Sequence, residues 1–374
     1  MSPLREAVAA ALAARLRLAR TPFVGPRSYR DLIARFGDAG AALEALPRLS
    51  RRGGRERVPP PAETIAAEIA ALARLGGCFV FADDLAYPAM LAEIHDPPVV
   101  LAARGDPTLL QRPAVAIVGS RNASAAGRRL AERFARELGE AGHVVISGLA
   151  RGIDAAAHRG SLEHGTVAVV AGGIDHVYPP EHAELQEIIA GRGLLLSDQP
   201  MGLTPRAGHF PRRNRIVAGI AAATLVIEAT ENSGALITAR LAAENGRDVF
   251  AVPGSPLEPR SRGCNRLIRD GAMLVETTED VLQGLAMMVR AIPRLPPETP
   301  REALAPLPED AADEAPGGGH ERLLAALGPV PVEVDELVRR CQVTAAEAQT
   351  MLLELELAGR VERHPGNKIS LVAS

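Results

Sequence analysis

Two hydrophobic patterns divide this chain. Up to about residue 50, apolar residues recur at helical spacing, as in the segment 23–37, which contains a Gly-Pro turn. The arginine- and glycine-rich stretch 51–57 and the proline triplet 59–61 end this pattern. We therefore expect a small helical domain over residues 1–62.

Short apolar runs that alternate with amphipathic helices form the second pattern, from about residue 78 to 290. The helical segments include 125–138 and 237–245. Continuous apolar strands separated by helices are typical of a parallel sheet covered on both faces, so we expect a Rossmann-like α/β domain over residues 63–292. The runs that predict its strands are 114–118, 144–146, 167–171, 194–196, 224–228, 249–252 and 273–275.

The last part of the chain changes character twice. Residues 293–319 contain seven prolines and six carboxylates, which predicts a disordered linker. Residues 320–374 follow the pattern of three helices and a hairpin, which predicts a winged-helix domain. Thr344 with Glu347 predicts a capping box at the start of the third helix, and Gly359 predicts its end.

Composition narrows the class of protein. With 47% hydrophobic and 23% charged residues in 374, the chain can form sizeable cores, and global disorder is excluded. Because the net charge is −3, nucleic-acid binding has to come from a local patch. Three scattered cysteines exclude a disulfide framework and a CxxC metal site. The longest apolar stretch, 216–227, is too short to span a bilayer, and no signal peptide is apparent, so we expect a cytoplasmic protein without a membrane span.

The turns after the predicted strands hold the candidate chemistry, because ligands of open parallel sheets bind at the carboxyl ends of the strands. Gly119-Ser120-Arg121 has a single glycine, and Ser147-Gly148 stands where a dinucleotide site has an acidic residue. We therefore expect no NAD or FAD cofactor. The first turn leads into a helix and is open to two interpretations, a phosphate site on backbone N–H groups or a plain tight turn.

Asp154 and His158 lie four residues apart on a predicted helix. Such a pair can act as an acid and a base, or its members can form structural hydrogen bonds. No serine or cysteine nucleophile motif accompanies them. The sequence favours the structural interpretation and predicts neither a catalytic residue nor a metal site.

The segment 202–227 contains four arginines and no carboxylate. The arginines are Arg206, Arg212, Arg213 and Arg215. Phe210 lies among them, although the chain has only ten aromatic residues. Arginines for phosphates beside an aromatic ring for a base are typical of single-stranded nucleic-acid binding. The alternative is a solvated basic loop with Phe210 in the core.

Six motifs occur in an order and spacing that resemble the DNA-processing protein A family (DprA, also called Smf). They are VGSR at 118–121, SGLARGID at 147–154, FPRRNRI at 210–216, SGALIT at 233–238, VPG at 252–254 and GCNRLIRDGA at 263–272. The resemblance covers the α/β region in full. The N-terminus resembles the family's SAM/helix-hairpin-helix-like domain, and the C-terminus resembles its winged helix.

The resemblance implies a non-enzymatic protein that binds single-stranded DNA and brings the RecA recombinase onto incoming DNA in natural transformation. It also implies an extended Rossmann domain that forms a homodimer. The implied DNA-binding positions are Gly119, Ser120, Arg121, Phe210, Arg212, Arg213, Asn214 and Arg215, and Ser147, Gly148, Ser233 and Gly234 shape the pocket. The N-terminal hairpin has one glycine, Gly25, where a DNA-binding hairpin has two, which weakens the case for DNA contact there.

Two other functions fit parts of the sequence. The turn 232–237 faintly resembles the phosphate loop of nucleotide phosphoribohydrolases, although it lacks the second glycine and the following glutamate. A winged-helix transcription regulator is the other alternative. However, the recognition-helix candidate 345–357 has three glutamates and no basic residue, whereas helices that enter a major groove need positive charge. Protein contact is the role that the sequence favours for this domain.

Overall fold

A computed structural model describes residues 3–291, 319–364 and 366–372. The chain forms two compact units. One contains residues 70–291, and the other combines the residues up to 69 with those from 319 onward. The predicted linker 293–319 lies outside the described residues apart from Gly319, so its disorder stays a prediction, as do the predicted domain boundaries.

Helices form the N-terminal part of the chain, which confirms the predicted helical domain. They are α1 (Pro3–Ala19), α2 (Pro26–Phe36), α3 (Ala39–Arg52) and α4 (Ala62–Arg74). Pro26 begins α2, where its missing N–H removes no helical hydrogen bond. Asp38 caps α3 because its side chain accepts from the Ala41 amide. Leu32 and Leu46 are fully buried and bring apolar faces of α2 and α3 into the interior.

A nine-stranded sheet organises the larger unit, in the order β1-β2-β6-β5-β4-β3-β7-β8-β9. The strands are β1 (Cys78–Phe81), β2 (Val100–Gly105), β3 (Ala114–Gly119), β4 (Val144–Ser147), β5 (Thr166–Val169), β6 (Leu194–Ser197), β7 (Ala223–Ile227), β8 (Asp248–Ala251) and β9 (Met273–Leu274). The remaining helices of this unit are α5 (Ala89–Ala92), α6 (Ala125–Glu140), α7 (Ile153–Ser161), α8 (Ala183–Arg192), α9 (His209–Ile220), α10 (Gly234–Glu244), α11 (Arg262–Arg269) and α12 (Thr278–Ala291).

The strands from β6 to β9 in this order are parallel, which confirms the predicted Rossmann-like layer. Along β3, Val115 and Ile117 pack into one apolar cluster and Ala116 and Val118 into another, so both faces of the strand are buried. This is why the strand is a continuous apolar run. The chain runs from β3 outward to β6 and then returns to β7 on the other side of β3, so the strand order reverses beside β3.

Two antiparallel strands extend the sheet beyond the predicted ones. β1 pairs with β2, and β2 pairs with β6, both in antiparallel register. The connection between β1 and β2 is long and contains α5, so no short hairpin turn marks them in the sequence. The pairing of β2 with β6 joins residues about ninety positions apart, which a local pattern does not encode.

The C-terminal residues form the predicted winged-helix domain. It contains α13 (Gly319–Ala325), β10 (Val332–Glu333), α14 (Val334–Cys341), α15 (Ala345–Leu357), β11 (Val361–His364) and β12 (Lys368–Leu371). The capping box of Thr344 and Glu347 is present, and Gly359 adopts a φ of +69° just beyond α15. Within the described ranges, no helix is long and apolar enough to cross a membrane.

Candidate nucleic-acid interface

A cavity of about 80 Å³ opens at the carboxyl ends of β3, β4 and β5. The turns that follow these three strands line it together with the first turn of α9, which supplies Phe210 and Arg213. This is the edge of an open parallel sheet at which ligands bind. The structure therefore brings the turn after β3, the turn after β4 and the basic segment 202–227 to one place.

Arg213 provides a buried positive charge in the wall of this cavity. Its side chain is 4% exposed, and Nη1 donates to the carbonyl oxygen of Val169 at 3.0 Å. Burial lowers the pKa of Arg213 to about 10, while the nearby Asp154 carboxylate opposes that change, so the guanidinium is protonated at neutral pH. Its Nε atom has no hydrogen-bond partner among the described residues.

Gly148 allows the guanidinium to reach this position. A Cβ atom at residue 148 would overlap Nη1 of Arg213. The turn that contains Gly148 is held by Asp154, whose Oδ2 accepts from the amides of Gly148 at 3.2 Å and Ala150 at 3.3 Å. Gly148 therefore has a packing role that only glycine can fill.

Asp154 and His158 each have a structural partner. The Asp154 carboxylate holds the turn after β4, and burial raises its pKa against the opposing effect of Arg213. His158 is fully buried, and its Nδ1 lies 2.7 Å from the Thr166 hydroxyl. Burial lowers the pKa of His158 to about 3, so the imidazole is neutral. The geometry matches the structural interpretation of this pair.

Phe210 lines the cavity and contacts a guanidinium and a second aromatic ring. Its side chain is half-buried, and the Arg121 guanidinium is 5.3 Å from its ring centroid. The Tyr178 ring is 5.4 Å away at an interplanar angle of 55° and is 46% exposed. Tyr178 was not among the predicted site residues. Two features of the sequence could have indicated it: the chain has only three tyrosines, and this one begins a Tyr-Pro-Pro-Glu motif.

The arginines of α9 have different surroundings. Arg212 is exposed. Arg215 is 19% exposed and binds the carboxylates of Asp96 at 3.2 Å and Asp198 at 3.0 Å. A phosphate contact by Arg215 would require these ion pairs to open. Asn214 is half-buried on the same helix, and its predicted DNA contact stays a prediction.

The turn after β3 is tightly packed and already holds an anion. A Cβ at Gly119 would overlap the Ile227 carbonyl oxygen, and the Ser120 amide donates to the Glu228 carbonyl at 2.6 Å. The Glu228 carboxylate accepts from the amide of Ser124 at 2.8 Å and from its hydroxyl, at the N-terminus of α6. An internal carboxylate thus occupies the place where a phosphate would bind in a nucleotide-binding turn, which supports the plain-turn interpretation.

Three other predicted pocket residues lie outside the cavity lining. Ser147 is buried and donates to the carbonyl of Ile117 at 2.6 Å, so it joins β4 to β3 below the cavity. Ser233 caps α10 and lines a second, larger groove beside β8 and β9. Gly234 follows it and is exposed. The predicted role of Ser233 and Gly234 in DNA contact stays a prediction.

Comparison with known proteins assigns a family to each region. The family described as DNA recombination-mediator protein A matches residues 78–286. The DprA-like N-terminal HHH domain matches residues 9–71, and the DprA winged helix domain matches residues 306–367.

Individual relatives agree with these matches. Protein Smf of Synechocystis sp. is 36% identical over 318 residues, which cover 77% of this chain and 78% of that protein. The X-ray structure of DNA processing protein A (DprA) from Streptococcus pneumoniae is 41% identical, with a TM-score of 0.56 over 60% of this chain and 78% of that one. DNA processing protein A from Helicobacter pylori, described for its single-stranded DNA binding mode, is 30% identical, with a TM-score of 0.52 over 57% of this chain and 96% of that one.

The matched region includes the strands and turns that form the cavity, and the flanking helical and winged-helix domains are matched as well. The chain belongs to the DNA-processing protein A (DprA/Smf) family.

Proposed function

We propose that this protein binds single-stranded DNA in the cavity at the ends of β3, β4 and β5. The observation that carries the proposal is the convergence of Arg121, Phe210 and Arg213 with Tyr178. Guanidinium groups bind phosphates, and partly exposed rings stack on bases that are not paired. Because paired bases offer no free face to the rings, the site should prefer single strands.

The role that we propose for this binding is recombination mediation. The resemblance to DprA proteins supports delivery of the RecA recombinase onto single-stranded DNA during natural transformation, in the cytoplasm. The Helicobacter pylori relative binds single-stranded DNA according to its description, which supports the same ligand here. No turnover is part of the proposal, since Asp154 and His158 have structural partners.

Homodimer formation is a further part of the proposal. The short edge strand β9 exposes Met273 and Leu274 at 37% and 46%, and Met287 on α12 is 64% exposed. Met273 and Met287 line the larger groove beside β8 and β9. An exposed apolar patch at a sheet edge is typical of an interface with another chain.

Binding of labelled single- and double-stranded oligonucleotides of one sequence, titrated with salt, tests the ligand. We expect tighter binding of the single strand, with affinity falling as salt rises because phosphates are neutralised. Phe210→Ala should reduce the preference for single strands. Equal affinity for both forms in the parent protein would contradict the proposal, and stimulation of RecA filament formation on the same oligonucleotide tests the mediator role.

A further inference from the structure

The third helix of the winged-helix domain packs against the N-terminal helices, since α15 contacts α3 and α2. Leu352 and Leu355 belong to the apolar core of the winged helix itself. Leu353 and Leu357, only 3% and 1% exposed, lie around the helix from them and outside that core. The outward face of this helix, which enters the major groove in DNA-reading proteins of this architecture, is covered by the chain itself.

Two arginines of the N-terminal part face negative or partly negative groups of α15. Arg57 donates to the carbonyl oxygens of Leu357 at 3.3 Å and Ala358 at 2.9 Å, at the C-terminal end of α15. These carbonyls have no partner within the helix and form the negative end of its dipole. The Glu354 carboxylate, which is 3% exposed, lies 2.7 Å from Nε2 of His320 in the winged helix, and its other oxygen faces Arg52 at 3.9 Å.

Charge and chemistry make the N-terminal side of this interface suited to polyanions. Residues 1–62 contain twelve arginines and five carboxylates, whereas residues 320–374 contain six basic and eight acidic residues. The Arg57 guanidinium lies 4.0 Å above the ring of Phe23. Arginine binds phosphate and carboxylate groups with the same planar donors, so one set of side chains can hold either.

We propose that α15 is an internal substitute for a nucleic-acid backbone. Its negative C-terminal end and Glu354 occupy Arg52 and Arg57, which bind phosphates when the winged helix is released. This site consists of arginine side chains outside the hairpin at Gly25. The presence of only one glycine in that hairpin therefore does not bear on it. The proposal goes beyond the single-strand site and is independent of it, because the two sites lie in different units of the chain.

Gly53→Ala in the full-length protein separates docking from folding. Gly53 has φ −71° and ψ −3°, which alanine adopts freely, but a Cβ there would overlap the Glu354 carbonyl oxygen. The winged helix keeps its own apolar core when it is released. Gly328→Ala is the matched control, because a Cβ at Gly328 has no atom within 4 Å and its φ lies outside the left-handed region.

Hydrogen exchange and duplex binding together test whether α15 covers a phosphate site. Hydrogen exchange should become faster in residues 353–360 of the Gly53→Ala protein, and unchanged in α14. Binding of a duplex oligonucleotide, which separates this site from the single-strand site, should tighten. The slope of log K against log salt should steepen by about 0.9 for each phosphate contacted.

A second substitution, Arg57→Ala, should remove the gain in duplex binding. Faster exchange without tighter duplex binding would overturn the proposal, because the uncovered surface would then not bind phosphates. Unchanged exchange would overturn it as well, because the domains would then not be docked through Gly53. If the parent protein does not bind single-stranded DNA, the proposed function is contradicted, whereas the proposal for α15 is unaffected.

Discussion

Gly148 lies so close to Arg213 that a β-carbon at residue 148 would overlap the guanidinium. The buried charge of Arg213 in the cavity wall therefore requires a glycine at the end of β4. Gly148→Ala should displace Arg213 and lower single-strand affinity, with a loss of stability of about 1–3 kcal/mol from overpacking. Affinity and chemical unfolding measured on the same protein check this. Gly208→Ala, where a Cβ meets open space, is the control and should change neither quantity.

Arg212 and Arg215 lie on one helix and should behave differently. Arg212 is exposed, so Arg212→Ala should flatten the slope of log K against log salt by about 0.7 on single strands without changing stability. Arg215 binds Asp96 and Asp198, so Arg215→Ala should destabilise the fold by about 1–3 kcal/mol. Equal salt slopes in the two variants would show that Arg215 also contacts phosphates.

Substitution of Phe210 distinguishes base stacking from charge neutralisation as sources of affinity. Phe210→Ala should weaken single-strand binding by about 1–3 kcal/mol and leave the salt slope nearly unchanged. Tyr178→Ala should act in the same direction, because the two rings adjoin. A large fall in melting temperature with unchanged affinity would instead assign Phe210 to the core.

Glu228 stabilises the start of α6 through Ser124. Glu228→Gln removes a negative charge from the helix N-terminus and should lower the free energy of unfolding by about 1–2 kcal/mol. Glu231→Gln, at an exposed position nearby, is the control. If both substitutions have the same small effect on chemical unfolding, the carboxylate has no special role at this helix end.

Acid should destabilise the fold through His158. Burial is the main cause that lowers its pKa to about 3, and Arg213, His182 and Arg159 act in the same direction. In the unfolded chain this histidine binds a proton near pH 6.5, whereas in the folded chain it does so only near pH 3. The free energy of unfolding should therefore fall as the pH drops from about 6.5 toward 3, by at most about 1.4 kcal/mol per pH unit.

The raised pKa of Asp154 acts with the opposite sign toward the acidic end of the same interval. Urea unfolding between pH 7.5 and 5 measures the slope. The slope of the free energy of unfolding against pH should be shallower for His158→Gln than for the parent protein. Identical slopes would show that His158 is not the source of the acid destabilisation.

Local patterns in the sequence were sufficient to predict the parallel strands, many of the helices and the winged helix, but not the antiparallel strands β1 and β2. Both faces of β3 are buried, so its apolar residues run without interruption and predict a covered parallel strand. Thr344 and Glu347 interact across a single helical turn, so their spacing was sufficient to predict the cap. The concentration of arginines around Phe210 likewise marked the basic segment, because composition is a local property.

Which of these residues come into contact, and which groups each can bind, depends on the packing of segments that are far apart in the chain. Tyr178 and Phe210 are 32 positions apart, and Ser124 and Glu228 are 104 apart, so no local spacing relates either pair. Arg212 and Arg215 look alike in sequence, yet one faces solvent and the other binds two carboxylates from distant segments. Hydrophobic periodicity specifies which side of an element is buried, whereas the partner that covers it depends on packing between elements far apart in the chain.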